Sequence, residues 1–183
     1  EAKDGKLYVE NEGGFWRLYD FIEGAIAYQT VERPVLFENA ARAFGKFQRL
    51  LSDYPAATLH ETIPHFHDTP KRFRDFHAAL EADVAGRRKT AEKEIAFYLA
   101  QEPISGTITD EIARGNIPLR VTHNDTKLNN IMMDEKTDQA VCVIDLDTVM
   151  PGSALYDFGD SIRFGASSGA EDEQDVDKIF MRL

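Results

Sequence analysis

With 183 residues, 43% of them hydrophobic and 10% aromatic, the chain has material for one sizeable core and is not a disordered tail. No apolar run approaches the ~20 residues that cross a bilayer, which excludes a membrane span. A formal charge of −11 argues against nucleic acid, because most of the surface would repel a polyanion. The N-terminal EAKDGKLYVENEGG has neither a basic n-region nor an apolar h-region. The single cysteine, Cys142, lies in the apolar run 140–144 and reads as a small buried hydrophobe rather than a reactive thiol. A reducing, cytoplasmic setting is expected.

Residues 6–10 alternate around Leu7 and Val9, Asn11-Glu12-Gly13-Gly14 offers positions for positive φ, and an apolar–polar rhythm resumes over 15–22. That pattern predicts a β-hairpin whose second strand runs out at Glu23-Gly24. Pro34 stands where a first helical turn accepts it. Leu36, Phe37, Ala40, Ala41, Phe44, Phe47, Leu50 and Leu51 then recur at helical spacing up to Tyr54-Pro55. Residues 60–70 read as loop. A second helix follows Thr69-Pro70, with Phe73, Phe76, His77, Leu80 and Val84 on one stripe. A third is expected over 89–101, with Ala91, Ile95, Tyr98 and Leu99 inward. Pro103-Ile104-Ser105-Gly106 breaks it, and a short helix is expected over 110–114. Strands first, then mostly helices, with one late hairpin: the fold class is α+β.

The late hairpin is formed by Ile131-Met132-Met133 and the run 140–144, joined by a charged tip at 134–139. Folding about that tip brings Asn130, just before the first strand, beside Asp145, just after the second. Side chains opposed across such a ladder lie ~5 Å apart. An amide oxygen next to a carboxylate suits a hard cation such as Mg2+, which takes few protein oxygens and completes its shell with water and phosphate. Asp125, in the loop entering the hairpin, is placed to accept a proton from a hydroxyl, and Lys127 to neutralise charge on a group in transit. Base, cation and two metal ligands are the parts that phosphoryl transfer to an alcohol needs.

His123-Asn124-Asp125-Thr126-Lys127-Leu128-Asn129-Asn130 resembles the catalytic loop H-x-D-x-x-x-x-N of protein-kinase-like folds. With Val143-Ile144-Asp145-Leu146-Asp147 after the hairpin, it is similar to the aminoglycoside phosphotransferase and choline kinase group of small-molecule kinases. The runs HNDTKLNNIM and VIDLDTVMPGSALYDFGDSIRFGA look most like the N-acetylhexosamine 1-kinase branch. The resemblance is strongest over residues 121–166. It implies a protein-kinase-like fold, Asp125 as catalytic base, Asn130 and Asp145 as Mg2+ ligands, and a lysine near the transferred phosphate at Lys127. By the same resemblance residues 1–23 are the last strands of an N-terminal lobe and its hinge, with Tyr19, Phe21 and Ile22 against the adenine of ATP. Residues 24–183 are then a mostly helical C-terminal catalytic lobe. Asp157-Phe158-Gly159 spells the kinase D-F-G but follows no strand that delivers it to the site, so Asp145 is preferred as ligand. Asp157 is expected to brace the catalytic loop from a helix start.

No Gly-rich phosphate loop and no V-A-I-K-like strand is present, and a helix is just beginning at 178–183. The expectation is a fragment with its N-terminal lobe largely missing, transferring phosphate poorly by itself. His123 reads as a structural loop residue and Asn129 as a turn residue. Asp147 is left between metal binding, substrate binding and capping the turn before Pro151-Gly152. His67, Asp68 and Arg72 are placed in the pocket of the acceptor, bonding hydroxyls. The same His65-Phe66-His67-Asp68 run invites comparison with His-Asp metal phosphohydrolases, which need several ligands on helices around one metal, whereas this run sits in a Pro-bounded loop. The leading reading is an ATP- and Mg2+-dependent kinase whose partners are a nucleotide and a sugar, an N-acetylhexosamine at its anomeric hydroxyl. Aminoglycoside or choline phosphorylation, and a non-catalytic nucleotide-binding remnant, stand beside it.

Overall fold

The computed structural model describes residues 5–169. Residues 1–4 and 170–183 lie outside that description, and with them the helix expected at 178–183. The N-terminal hairpin is present but short: β1 (Val9–Asn11) pairs antiparallel with β2 (Gly14–Trp16), with Val9 opposite Trp16. The strand expected to run to residue 22 stops at Trp16, because Leu18, Tyr19 and Phe21 are largely exposed and gain no face to pack on. Next comes β3 (Ala25–Ile26), then α1 (Pro34–Leu50), α2 (Thr69–Ala82), α3 (Glu92–Gln101) and α4 (Thr107–Ala113). The chain continues through β4 (Arg120–Thr122), β5 (Ile131–Asp134), β6 (Ala140–Val143), β7 (Met150–Gly152) and α5 (Ala154–Ala166).

The helices differ from the expected ones chiefly at their ends. Helix α1 starts on Pro34 as the spacing predicts. In α2 the last expected stripe residue, Val84, falls beyond a left-handed C-cap at Asp83 (φ 36°) and is 95% exposed. Helix α3 begins later than expected because residues 88–90 form a separate 3-10 turn, and Tyr98 faces outward against Phe76 and Phe97. Pro103 does not stop the chain's coiling; a 3-10 turn over Glu102–Ile104 carries it toward α4. Among the described residues no helix is long and apolar enough to cross a membrane.

Two further small sheets among the described residues organise the rest. Strands β5 and β6 form the late hairpin, with Ile131 opposite Val143 and a bulge between Met132 and Met133. Strand β3 adds to its other edge, making the order β3-β5-β6. Strands β4 and β7 pair antiparallel, Thr122 opposite Met150. The core lies between α1, this hairpin and α5: Leu36, Ala40 and Phe44 pack with Leu128, Ile131, Met133 and Phe164. Each Leu, Ile, Met or Phe among them contributes about 1.5–3 kcal/mol on burial. Strand alternation explains the division of labour in β5, where Ile131 and Met133 are fully buried and Met132 is half-buried on the opposite face.

Helix α1 also fastens the hairpin tip. The Arg33 guanidinium donates to both carboxylate oxygens of Asp138 (2.6 and 2.8 Å), and the Asn39 amide donates to the Asp138 carbonyl (2.7 Å). At the other end of the core, α1 and α5 approach so closely that a Cβ on Gly165 would overlap the Phe37 ring. Gly165→Ala is therefore expected to lower stability by about 1–3 kcal/mol through overpacking. Thermal or urea unfolding measures this, and an unchanged midpoint would show that the α1–α5 contact yields easily.

Candidate active site

The loop between β4 and β5 is built as a rigid bridge. It leaves β4 at Thr122, passes His123 to Lys127, and enters β5 through a 3-10 turn over Leu128–Asn130. His123, Asn124, Thr126 and Asn130 are all buried, so their polar groups must be matched internally. Asn124 adopts a left-handed conformation (φ 66°), which asparagine tolerates better than most residues. Its side chain secures that bend by donating to the Thr148 carbonyl (2.9 Å) and accepting from the Thr122 hydroxyl (3.0 Å). The His123 ring lies edge-on to Phe44 and Phe47, and its Nε2 bonds the Ile144 carbonyl at 2.9 Å. A carbonyl partner makes Nε2 a proton-bearing nitrogen.

Helix α5 supplies the anchor. Asp157, in its first turn, accepts from the backbone N–H of His123 (3.1 Å) and of Asn124 (2.7 Å), and from the Gln48 amide of α1. Burial pushes the Asp157 carboxyl above the usual aspartate range, while those three donors pull it back. Both of its oxygens are thus taken up on the loop and α1.

Held this way, the loop brings three of the expected residues together. The Asn130 amide donates to the Asp125 carbonyl (2.8 Å) and to Asp125 Oδ2 (2.9 Å). Lys127 Nζ lies 3.3 Å from the same Oδ2, with both side chains mostly covered. Since the Asn130 nitrogen faces Asp125, its Oδ1 lies on the other side of the carboxamide. Asp145 joins this group through the backbone: the Ile144 N–H donates to the Asn130 carbonyl at 2.9 Å, which sets Asp145 one residue past the pairing. Asp145 itself is exposed and left-handed (φ 57°).

Asp145 also lines a cleft of about 600 Å3 whose walls include Tyr19, Phe21, Ile22, Met132, Val143 and Ile144. Arg17 and Asp147 line the same cleft, and their side chains form a fork at 2.7 and 2.6 Å. The Asp147 carboxylate is thus engaged by Arg17 in this structure. Asp145 and Asn130 each carry a hard oxygen donor of the type a divalent cation takes, and the hydrogen bonds of the Asn130 nitrogen to Asp125 leave its oxygen free of that contact. Among the described residues no three His, Cys, Asp or Glu side chains converge on a metal position.

The other expected residues sit on the far flank of the loop. His67 Nε2 bonds the Asn124 carbonyl at 3.0 Å, and its ring stacks on Tyr156. Asp68 caps α2, accepting from Lys71 N–H at 2.8 Å, with His65 Nδ1 3.0 Å from its other oxygen. That backbone bond, aided by His65 and against some desolvation, holds the Asp68 carboxyl below the usual aspartate range. Arg72 donates to the Phe66 carbonyl at 2.6 Å. His67 and Asp68 line a small polar pocket of about 210 Å3 with Glu61, Asn124 and Tyr156; Arg72 does not line it. Sequence reasoning missed Arg17, Gln48, Met132 and Asp160. Of these only Asp160 left a signal, its i,i+3 spacing from Asp157 on one helix face.

The loop presents a carboxylate, a lysine and a carboxamide together, and Asp145, one residue past its partner strand, edges a cleft. Residues 2–180 match the sequence model of the APH phosphotransferase enzyme family, and the chain belongs to that family. Membership makes it a kinase-type phosphotransferase of small molecules, a class whose chemistry uses a nucleotide and a divalent metal.

Proposed function

We propose that the chain carries the catalytic lobe of an ATP- and Mg2+-dependent kinase that phosphorylates a sugar hydroxyl, the anomeric hydroxyl of an N-acetylhexosamine. The observation that carries the reading is the Asp125–Lys127–Asn130 cluster tied through Ile144 to the cleft of Asp145. The choice of sugar rests on the resemblance over residues 121–166. Tyr19, Phe21, Ile22 and Met132 line one cleft of a size that admits a purine, which supports an adenine site there. The large exposed side chains of Leu7, Phe15, Trp16, Leu18 and Phe21 support assigning residues 1–23 to an N-terminal lobe whose other strands cover them. The enzyme is placed in the cytoplasm.

In this reading Asp125 accepts the proton of the acceptor hydroxyl as its oxygen attacks the terminal phosphorus of ATP. The new O–P bond forms as the bridging O–P bond breaks, and ADP leaves with the electron pair. Lys127, already beside Asp125, offsets charge on the group in transit. Asn130 and Asp145 would hold the metal, which when bound neutralises the phosphates. His67, Asp68 and Arg72, beside the loop, are assigned to the acceptor side. There the internal bonds of His67 and Asp68, which line the small polar pocket, give a preformed wall rather than freely swinging donors.

Assay of the full-length protein with ATP, Mg2+ and a panel of N-acetylhexosamines, aminoglycosides and choline tests the reading. Transfer to an N-acetylhexosamine is expected, and Asp145→Asn should reduce it by about 10²-fold or more. Transfer only to aminoglycosides or choline removes the sugar assignment; Asp145→Asn with wild-type rate and metal dependence removes the ligand assignment.

A further inference from the structure

We propose that Asp160 is a positioning residue for the phosphate-transfer loop, fixing the peptide that follows Asp125 while other groups fix the one before it. The inference deepens the kinase reading above and rests on it for its catalytic consequence. Thr126 N–H, the first donor after Asp125, bonds Asp160 Oδ2 at 2.7 Å. The Asp160 side chain is only 11% exposed, and Arg163 holds its other oxygen at 3.0 and 2.9 Å. That arrangement leaves Oδ2 turned to the loop.

The peptide group linking Asp125 to Thr126 is consequently held at both poles. Its carbonyl accepts from the Asn130 amide (2.8 Å) and its N–H donates to Asp160. The preceding peptide is held by its carbonyl, which bonds His67 at 3.0 Å. A residue between two pinned peptide planes has little freedom in φ and ψ, so the direction of the Asp125 carboxylate is set by its neighbours. Thr126 completes the attachment: its hydroxyl donates to the Asp157 carbonyl (2.6 Å) and its own carbonyl accepts from the Ser161 hydroxyl (3.3 Å). Asp157 and Asp160, one turn apart on α5, thus grip the loop on either side of Asp125. The Asp157 carboxylate holds the N–H groups of residues 123 and 124; only the Asp160 carboxylate reaches the N–H beyond 125.

A misplaced general base lowers the chemical step more than substrate binding. In the full-length protein, with ATP, Mg2+ and N-acetylglucosamine, Asp160→Ala is expected to lower kcat by roughly 10- to 100-fold while KM for both substrates stays within about threefold. Asp160→Asn, which retains an oxygen for Thr126 N–H, should restore most of kcat. Independently of activity, amide hydrogen exchange at Thr126 should speed up by roughly tenfold in Asp160→Ala and recover in Asp160→Asn. Exchange at His123 and Asn124 should change little. The proposal is overturned by unchanged exchange at Thr126, by wild-type kcat in Asp160→Ala, or by a loss of activity that tracks lost folded protein and is not restored by asparagine. If the wild type transfers phosphate to no acceptor, the kinase reading fails by itself. The exchange measurement then decides on the clamp: faster exchange at Thr126 upholds it and unchanged exchange rejects it.

Discussion

Asp125→Asn is expected to reduce phosphate transfer by about 10²- to 10⁴-fold, the span usual for losing a positioned general base, while leaving the fold in place. Asparagine is the informative replacement because it keeps an oxygen for the Asn130 amide, which donates to Asp125 Oδ2 at 2.9 Å. It removes only the ability to take a proton and the charge facing Lys127. The Asp125 and Lys127 side chains keep 19% and 17% exposure, so solvent still reaches both charges and the neutral isostere is expected to leave the fold in place. ATP binding by titration calorimetry should therefore stay near wild type as kcat falls. Retained transfer at more than a tenth of the wild-type rate would remove Asp125 from the role of base.

The largest effect on stability is expected at Asp157. Its two oxygens serve two backbone N–H groups and the Gln48 amide in a buried position. Asp157→Asn places an NH2 group against one of those donors and leaves that N–H without an acceptor. The cost is about 2–3 kcal/mol, or roughly 5–10 °C in Tm for a chain of this size. Its pH dependence has a definite sign. Burial raises the folded carboxyl above its ordinary value of 3.8, so the native state binds that proton more tightly than the unfolded chain. The linked contribution is full below 3.8 and is lost as pH rises through the folded value. The stability gap between wild type and Asp157→Asn should accordingly widen on acidification through that window. Urea unfolding at a series of pH values measures it; a gap that narrows on acidification would show that hydrogen bonding outweighs burial at this carboxyl.

What could be read in advance follows the range of the interactions. The stripe Leu36, Ala40, Phe44 announces α1 because a helix repeats its buried face every turn, and those residues are buried. The late hairpin was legible for the same reason, with two apolar runs flanking a charged tip, and its pairing sets Asp145 one residue past the partner of Asn130. Strands β3, β4 and β7 were not, since two or three residues show no alternation, and β7 contains Pro151 and Gly152, which read as turn. The residues that act across distance were also hidden. Arg17 meets Asp147 across 130 positions and Gln48 meets Asp157 across 109, and no local pattern marks either pair. The exposed end of the first hairpin was over-extended to residue 22 because alternation alone does not say whether a second layer covers it.

The loop's dependence on α5 has a consequence for the order in which the enzyme matures. The β5–β6 hairpin and its α1 partner are complete by residue 143, but the N–H groups at 123, 124 and 126 find acceptors only when residues 157 and 160 arrive. A chain emerging from the ribosome therefore has its scaffold before its reactive geometry, and the carboxylate at 125 acquires a fixed bearing only as the last described helix docks.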